Sequence, residues 1–279
     1  LLDESMHRLL TGPLTVERLQ LTIADLPASL KGVTLTQFSD FHFDGIRLSE
    51  KLLEAAIEAS NALEPDLVVL TGDFVTADPA AIHNLVPWLK ALQSRAGIYA
   101  VLGNHDICYR RSRPEVTKAL TSIGIQVLWN EVAYPLGSEL AIVGLADFWS
   151  PSFNPLPVLK AIDPSIPRIV LSHNPDTAVP LQQWRVDLQL SGHTHGGQVV
   201  LPGIGNVSQL ISTTYCKLPK QARRFVPWMK ECARVSKHWE WAQGLHDVGN
   251  NRLYVNRGLG TYLPGRLFCP PEVTAITLL

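Results

Sequence analysis

Pro65-Asp66-Leu67-Val68-Val69-Leu70-Thr71-Gly72-Asp73 is an unbroken apolar run between two turn-forming pairs. Four consecutive apolar residues bounded in this way describe a short strand covered on both faces. The same form recurs outward in both directions. Residues 33–38 lead to Ser39-Asp40-Phe41-His42, and 98–102 to Gly103-Asn104-His105-Asp106. Residues 169–171 lead to Ser172-His173, and 188–190 to Gly192-His193-Thr194-His195. Between the first three runs the spacing predicts helices. One starts at a Ser49 cap and runs to about residue 60, with Leu52, Leu53, Ala56 and Ile57 on one face. Others are expected over 80–93 and 113–122. Gly137-Ser138 reads as a hairpin turn between Val132-Ala133-Tyr134 and residues 140–145. Strand-like patterns return at 253–256 and 273–278. Alternating strands and helices predict a layered α/β fold, and the hairpin makes its sheet mixed. In such folds ligands sit at the carboxyl ends of strands, so five distant segments would deliver polar side chains to one place.

The chain has 279 residues, 46% hydrophobic and 18% charged, which is ample for a core and excludes a disordered chain. Its 24 Lys and Arg against 25 Asp and Glu give a net charge of −1, so any basic surface must be local. No apolar run approaches the ~18 residues of a membrane span. The chain begins at Leu1 rather than Met, which reads as a processed or trimmed product with any targeting signal or anchor lying upstream. Cys108, Cys216, Cys232 and Cys269 form no CxxC pair and are expected as buried thiols, with a Cys216–Cys232 bridge left open. One domain is expected over 1–279, with a basic-aromatic insertion at about 202–248. There Lys217, Lys220, Arg223, Arg224, Lys230, Arg234 and Lys237 face only Glu231, among Phe225, Trp228, Met229, Trp239 and Trp241. Two readings stay open: solvated helices that pack aromatics on the body, or a surface at 217–241 that touches anionic lipid or an anionic substrate. His7, His83, His238 and His246 lack a partner motif and read as surface or structural.

Taken singly, each polar cluster is a weak metal motif. Taken together, Asp40, His42, Asp73, Asn104, His173, His193 and His195 all follow strand ends. Seven such groups exceed the needs of one four-coordinate zinc and suit two adjacent ions sharing a carboxylate. Mixed oxygen and nitrogen donors without cysteine suit manganese, iron or zinc.

The ordered set Asp40-x-His42, Gly72-Asp73, Gly103-Asn104-His105-Asp106, His173 and Gly192-His193-x-His195 resembles the calcineurin-like metallophosphoesterase superfamily. The closing Asn256-Arg257-Gly258-Leu259-Gly260, with Pro264, Arg266 and Cys269-Pro270-Pro271-Glu272, is similar to its bacterial YaeI/YkuE-like branch. The resemblance implies two facing mixed β-sheets flanked by helices, an α/β/β/α sandwich. It implies one ion on Asp40, His42, Asp73 and His195, and a second on Asp73, Asn104, His173 and His193, with Asp73 bridging. His105 would face the scissile phosphate and protonate or stabilise the leaving oxygen, oriented by Asp106 or a neighbouring carboxylate. The cofactor is two divalent ions, manganese first, with zinc, iron or magnesium as alternatives. They would clamp the phosphoryl oxygens and generate a bridging hydroxide for in-line attack. The implied activity is that of a phosphodiesterase or pyrophosphatase in a membrane-associated or exported location; a lipid- or envelope-linked substrate such as UDP-2,3-diacylglucosamine, a cell-wall polymer and a soluble nucleotide diester all stay open. Thr76 stands where purple acid phosphatases carry a tyrosine, which argues against an iron-tyrosinate centre. A catalytically inactive scaffold is disfavoured because every ligand block is present. A nuclease is disfavoured by the neutral overall charge.

Overall fold

The computed structural model describes residues 4–279. Fourteen strands are assigned in chain order among them: β1 Thr15–Leu21, β2 Thr34–Phe38, β3 Leu67–Leu70, β4 Ile98–Ala100, β5 Gln126–Val127, β6 Glu131–Ala133, β7 Ala141–Gly144, β8 Arg168–Leu171, β9 Leu188–Ser191, β10 Val200–Leu201, β11 Gly205–Asn206, β12 Gly244–Val248, β13 Asn251–Val255 and β14 Glu272–Leu278. Twelve of them build two six-stranded sheets, ordered β1-β14-β2-β3-β4-β5 and β12-β13-β9-β8-β7-β6. Both sheets are mixed. In the first, β2, β3 and β4 run parallel (Phe38 opposite Leu70, Leu70 opposite Ala100), while β14 is antiparallel to β2. In the second, β8 and β9 are parallel and the β6–β7 hairpin is antiparallel, as expected around Gly137-Ser138. The five strands that end in polar clusters therefore share one direction within each sheet, and their carboxyl ends meet.

Period-2 alternation explains why Leu67-Val68-Val69-Leu70 is apolar throughout. Leu67 and Val69 face the second sheet, packing with Leu35, Ile142, Ile169, Leu171 and Leu188. Val68 and Leu70 face the opposite way, onto helices. Those helices are α1 Glu4–Thr11, α2 Glu50–Asn61, α3 Ile82–Leu89 and α4 Ser112–Thr121, of which α2 to α4 cover this face with Leu53, Ile57, Leu85, Leu89, Val116 and Leu120. On the far side, α5 Pro155–Lys160 and α6 Ala178–Leu181 cover the second sheet through Leu159 and Leu181 against Val143 and Val170. The layers are thus helix, sheet, sheet, helix.

Ser49 caps α2 as expected, its hydroxyl accepting from the Leu52 amide. The helix expected over 80–93 is shorter. A 3-10 turn at Pro79–Ala81 precedes α3, which contains Pro87 and ends after Leu89. Pro87 has no amide to give the His83 carbonyl, yet the ladder runs past it to the Lys90 amide, which donates to the Val86 carbonyl at 3.0 Å. The chain beyond is held by Asn61, which donates to the Ala91 carbonyl and accepts from the Gln93 amide.

Between β9 and β12 the chain leaves the two large sheets, so the expected insertion at about 202–248 ends sooner, at β12 Gly244–Val248, which is an edge strand of the second sheet. The β10–β11 hairpin leads into α7 Val207–Lys217, α8 Lys220–Arg223 and α9 Pro227–Val235. Asn206 caps α7, accepting from the Ser208 and Gln209 amides. All four cysteines are free thiols, and the expectation of burial holds only for Cys269, since Cys108 and Cys216 are exposed and Cys232 is half-buried. Cys232 Sγ bonds the Ser208 carbonyl at the start of α7. Cys216 lies eight residues further along that helix, about 12 Å away by the helical rise, which is beyond disulfide reach. Among the described residues no helix is long and apolar enough to cross a membrane.

Candidate metal centre

The turns after the five strands are tightly wound. Asp40, His42, Asp73, His193 and His195 all have positive φ, between 44° and 73°. Side chains other than glycine rarely adopt this region, and such strain clusters at functional sites. Cross-loop bonds hold it in place. The Asp40 amide donates to the Gly72 carbonyl at 2.9 Å and the His42 amide to the Asp73 carbonyl at 3.0 Å. Gly72 lies so close to the next loop that a Cβ would sit 2.5 Å from the Gly103 nitrogen. Asp106 pins these turns together. Its buried carboxylate accepts backbone amides from Asp73, Phe74, Val75 and Gly103 at 2.8–3.2 Å.

All seven expected ligand residues are brought together. Donor atoms of Asp40, His42 and His195 lie within 4.8 Å of one another, as do those of Asp73, His173 and His193. Within the first group, His42 Nε2 and His195 Nε2 are 3.1 Å apart, and His195 Nε2 is 3.4 Å from Asp40 Oδ1. Within the second, His173 Nε2 is 3.2 Å from each of Asp73 Oδ2, His193 Nδ1 and Asn104 Oδ1. Asp73 stands between the groups, with Oδ2 also 3.6 Å from His42 Nε2. Neighbouring donors around one ion at ~2.1 Å bonds are themselves roughly 3–3.5 Å apart, so the spacing of this donor set fits divalent cations.

The outward nitrogens are held so that the inward ones remain available. His173 Nδ1 donates to the Thr71 carbonyl at 2.7 Å, His193 Nε2 to Val235 at 2.8 Å and His195 Nδ1 to Gly260 at 3.1 Å. His42 Nδ1 faces the Tyr262 hydroxyl at 3.1 Å. Carbonyl partners of this kind fix the tautomer and ring orientation of a metal-binding histidine.

The electrostatics follow from two carboxylates and several imidazoles in a dry space. Burial opposes ionisation of Asp40, but His195, His42 and His173 outweigh it and hold its pKa well below the usual carboxylate range. Asp73 is likewise lowered, its burial outweighed first by His173. Burial also works against charge on His173, yet Asp73 and then Asp40 raise it to about 10. Burial lowers His193 to about 4, helped by the charge of His173. It lowers His195 to about 3 against the pull of Asp40. Burial and the charge of Asp73 push Asp106 up to about 8, despite its backbone donors.

His105 sits beside the ligands, its ring 4.9 Å from that of His42 and nearly perpendicular to it. Its orienting partner differs from the expected carboxylate. Nδ1 donates to the Thr76 carbonyl at 2.5 Å, because Asp106, next in the 3-10 turn His105–Ile107, points inward and is occupied by backbone amides. Four further residues join the site; only Gly260 lay in a motif, the closing 256–260 run, and its role there was not legible. Val235, Gly260 and Tyr262 contact the histidines, and Trp149, half-exposed, sets its ring edge-on to His193 at 4.9 Å. A cavity of about 960 Å³ opens over the centre. Asp73, Asn104, His105 and His193 line one side, and α9 with Trp239 lines the other. His7, His83, His238 and His246 stay outside it, bonded respectively to the Arg47 carbonyl, Glu115, Glu240 and the Gln243 carbonyl.

Comparison with known proteins agrees with this geometry. The calcineurin-like phosphoesterase profile matches residues 33–197. The uncharacterised metallophosphoesterase YkuE of Bacillus subtilis is 31% identical, over 91% of this chain and 81% of its own length. The phosphodiesterase YaeI of Escherichia coli is 31% identical, over 86% of this chain and 80% of its own. The UDP-2,3-diacylglucosamine pyrophosphatase LpxG of Chlamydia muridarum is 30% identical, over 88% and 83%. Among solved structures, a dimetal phosphatase from Danio rerio superimposes with a TM-score of 0.51 over 83% of this chain and 90% of its own, at 13% identity. The chain belongs to the calcineurin-like phosphoesterase family and is a metal-dependent phosphoesterase.

Proposed function

We propose that residues 1–279 form one domain that hydrolyses phosphodiester or pyrophosphate bonds with two divalent ions, manganese first. One ion belongs to Asp40, His42, Asp73 and His195, the other to Asp73, Asn104, His173 and His193. The observation that carries this reading is Asp73 Oδ2, which lies 3.6 Å from His42 Nε2 and 3.2 Å from His173 Nε2, between the two histidine groups. When bound, two such ions neutralise phosphoryl charge and supply an activated water near neutral pH. The protein's own part is positioning and proton transfer. His105, with Nδ1 tied to the Thr76 carbonyl, has Nε2 to protonate the leaving oxygen.

The cavity favours a substrate with a substantial second substituent. Its ~960 Å³ lies at the upper end of the range for small-molecule sites, far more than a phosphate fills. Cys232, Ala233, Val235 and Trp239 give its far wall an apolar surface; Lys237 adds positive charge, while Arg234 is paired with Glu231 at 3.5 Å. This amphiphilic wall supports a lipid-linked substrate such as UDP-2,3-diacylglucosamine, the compound named for the LpxG relative. Phe225 and Trp228 stand 73% and 61% exposed amid the cations of α8 and α9, a composition suited to peripheral contact with an anionic bilayer. A membrane-associated or exported location accords with that surface. Sedimentation with phosphatidylglycerol vesicles, lost on the double change Phe225→Ser and Trp228→Ser, is the outcome expected from it.

The decisive experiment is hydrolysis of bis-p-nitrophenyl phosphate beside the monoester after manganese loading. Metal-dependent diester turnover should fall by at least about 10²-fold in Asp73→Asn and in His105→Ala. Monoester turnover alone would replace the diesterase reading with a phosphomonoesterase.

A further inference from the structure

We infer that Arg266 is a positioning residue for one of the two ions: it clamps the loop 257–262 as an outer shell around Asp40, His42 and His195. The inference rests on the dinuclear reading above. Arg266 is buried, and among the described residues it has no carboxylate partner in an ion pair. Every donor of its guanidinium goes to an uncharged oxygen instead. Nε donates to Thr261 Oγ1 at 3.0 Å, and Nη2 to the carbonyls of Arg257, Gly258 and Gly260 at 2.8, 3.1 and 2.7 Å. Nη1 reaches the carbonyls of Cys269 and His195 at 3.3 and 3.4 Å. A cation held in this way costs desolvation, which the nearby Asp40 carboxylate offsets only in part and without an ion pair. What it supplies is a fixed backbone, because a planar fork can gather several carbonyls at once.

That backbone touches each member of one ligand group. The Gly260 amide donates to the Asp40 carbonyl at 2.7 Å, and the Gly260 carbonyl accepts from His195 Nδ1. The Tyr262 hydroxyl stands at His42 Nδ1, where its oxygen accepts the ring N–H and leaves Nε2 free as a ligand. Gly258 approaches so closely, at φ +71°, that a Cβ there would lie 2.6 Å from that of Asp40. The other group takes its support elsewhere: His173 from Thr71 and His193 from Val235. Outer-shell partners of this type typically contribute 10–100-fold to metal affinity. Loosening the loop should therefore weaken one ion and spare its neighbour.

Manganese binding to the whole chain tests this. Wild type, Arg266→Lys and Tyr262→Phe are titrated with Mn²⁺, and bound ions are counted by elemental analysis and electron paramagnetic resonance. Wild type should hold two ions with the spectrum of a coupled pair. Both variants should keep one tight ion, bind the second about 10–100-fold more weakly, and show the signal of isolated Mn²⁺. Tyr262→Phe removes one hydroxyl and its bond to His42, a modest loss of stability, so its metal-free chain should still unfold in a single cooperative transition, which separates positioning from misfolding. A wild-type chain that holds fewer than two ions overturns the dinuclear reading and this one with it. A two-ion wild type whose variants bind both ions unchanged, or lose both alike, overturns the role of Arg266 alone.

Discussion

His173 carries the charge balance of the centre. It faces two buried carboxylates, and Asp73 beside it keeps the imidazole protonated up to about 10 despite burial. A metal ligand must be the neutral ring, so loading the centre has to expel that proton. Calorimetric titration of metal-free protein with Mn²⁺ at pH 8, in buffers of different ionisation enthalpy, should report release of the His173 proton on top of any from metal-bound water. Apparent affinity should fall as the pH is lowered, and His173→Gln should release about one proton fewer than wild type. The seven candidate ligands were legible in the sequence because each lies within a few residues of a strand end. Their supports were not. Val235 and Gly260 act through backbone carbonyls, which every residue possesses, and they come from segments 42 and 65 residues distant from the histidines they hold. Asp106 misled for a local reason: adjacency to His105 suggested a partner, but the 3-10 turn sends the two side chains apart.

At the scale of elements, the helical excursion after β11 is tied to the centre by Asp176, from the turn that follows His173. Its carboxylate accepts from Ser236 Oγ, the Lys237 amide and the His238 amide at 2.8–3.2 Å, which sets the Val235 carbonyl onto His193. Asp176→Ala removes all three bonds and should loosen this segment by about 1–3 kcal/mol. Hydrogen exchange should accelerate across 227–241 while amides of β3 and β9 remain protected. Basic and aromatic residues marked the segment in the sequence, but its tether was hidden in an ordinary Asn-Pro-Asp turn. Asn61 shows the complementary case. Periodicity alone extended α3 to residue 93, whereas α3 ends at Leu89 and Asn61 on α2 takes the backbone of Ala91 and Gln93.

Over the whole molecule, the two-sheet sandwich was legible in part from residue pattern. The doubly apolar β3 and the β6–β7 hairpin follow from spacing, whereas the division of strands between two sheets came from the family resemblance. Pairings such as β1 with β14, some 250 residues apart, have no local trace. On the proposed assignment each ion takes ligands from both sheets: His195 joins Asp40, His42 and Asp73, and His173 and His193 join Asp73 and Asn104. Ions that bind only the folded state stabilise it by mass action, by about 4 kcal/mol per site at a thousandfold excess over Kd. Chelation should therefore lower the melting temperature by on the order of 10 °C, read by circular dichroism with and without EDTA. The ions are then rivets through two plates. A molecule starved of them is idle and also easier to digest, so its abundance in a cell would follow the supply of metal.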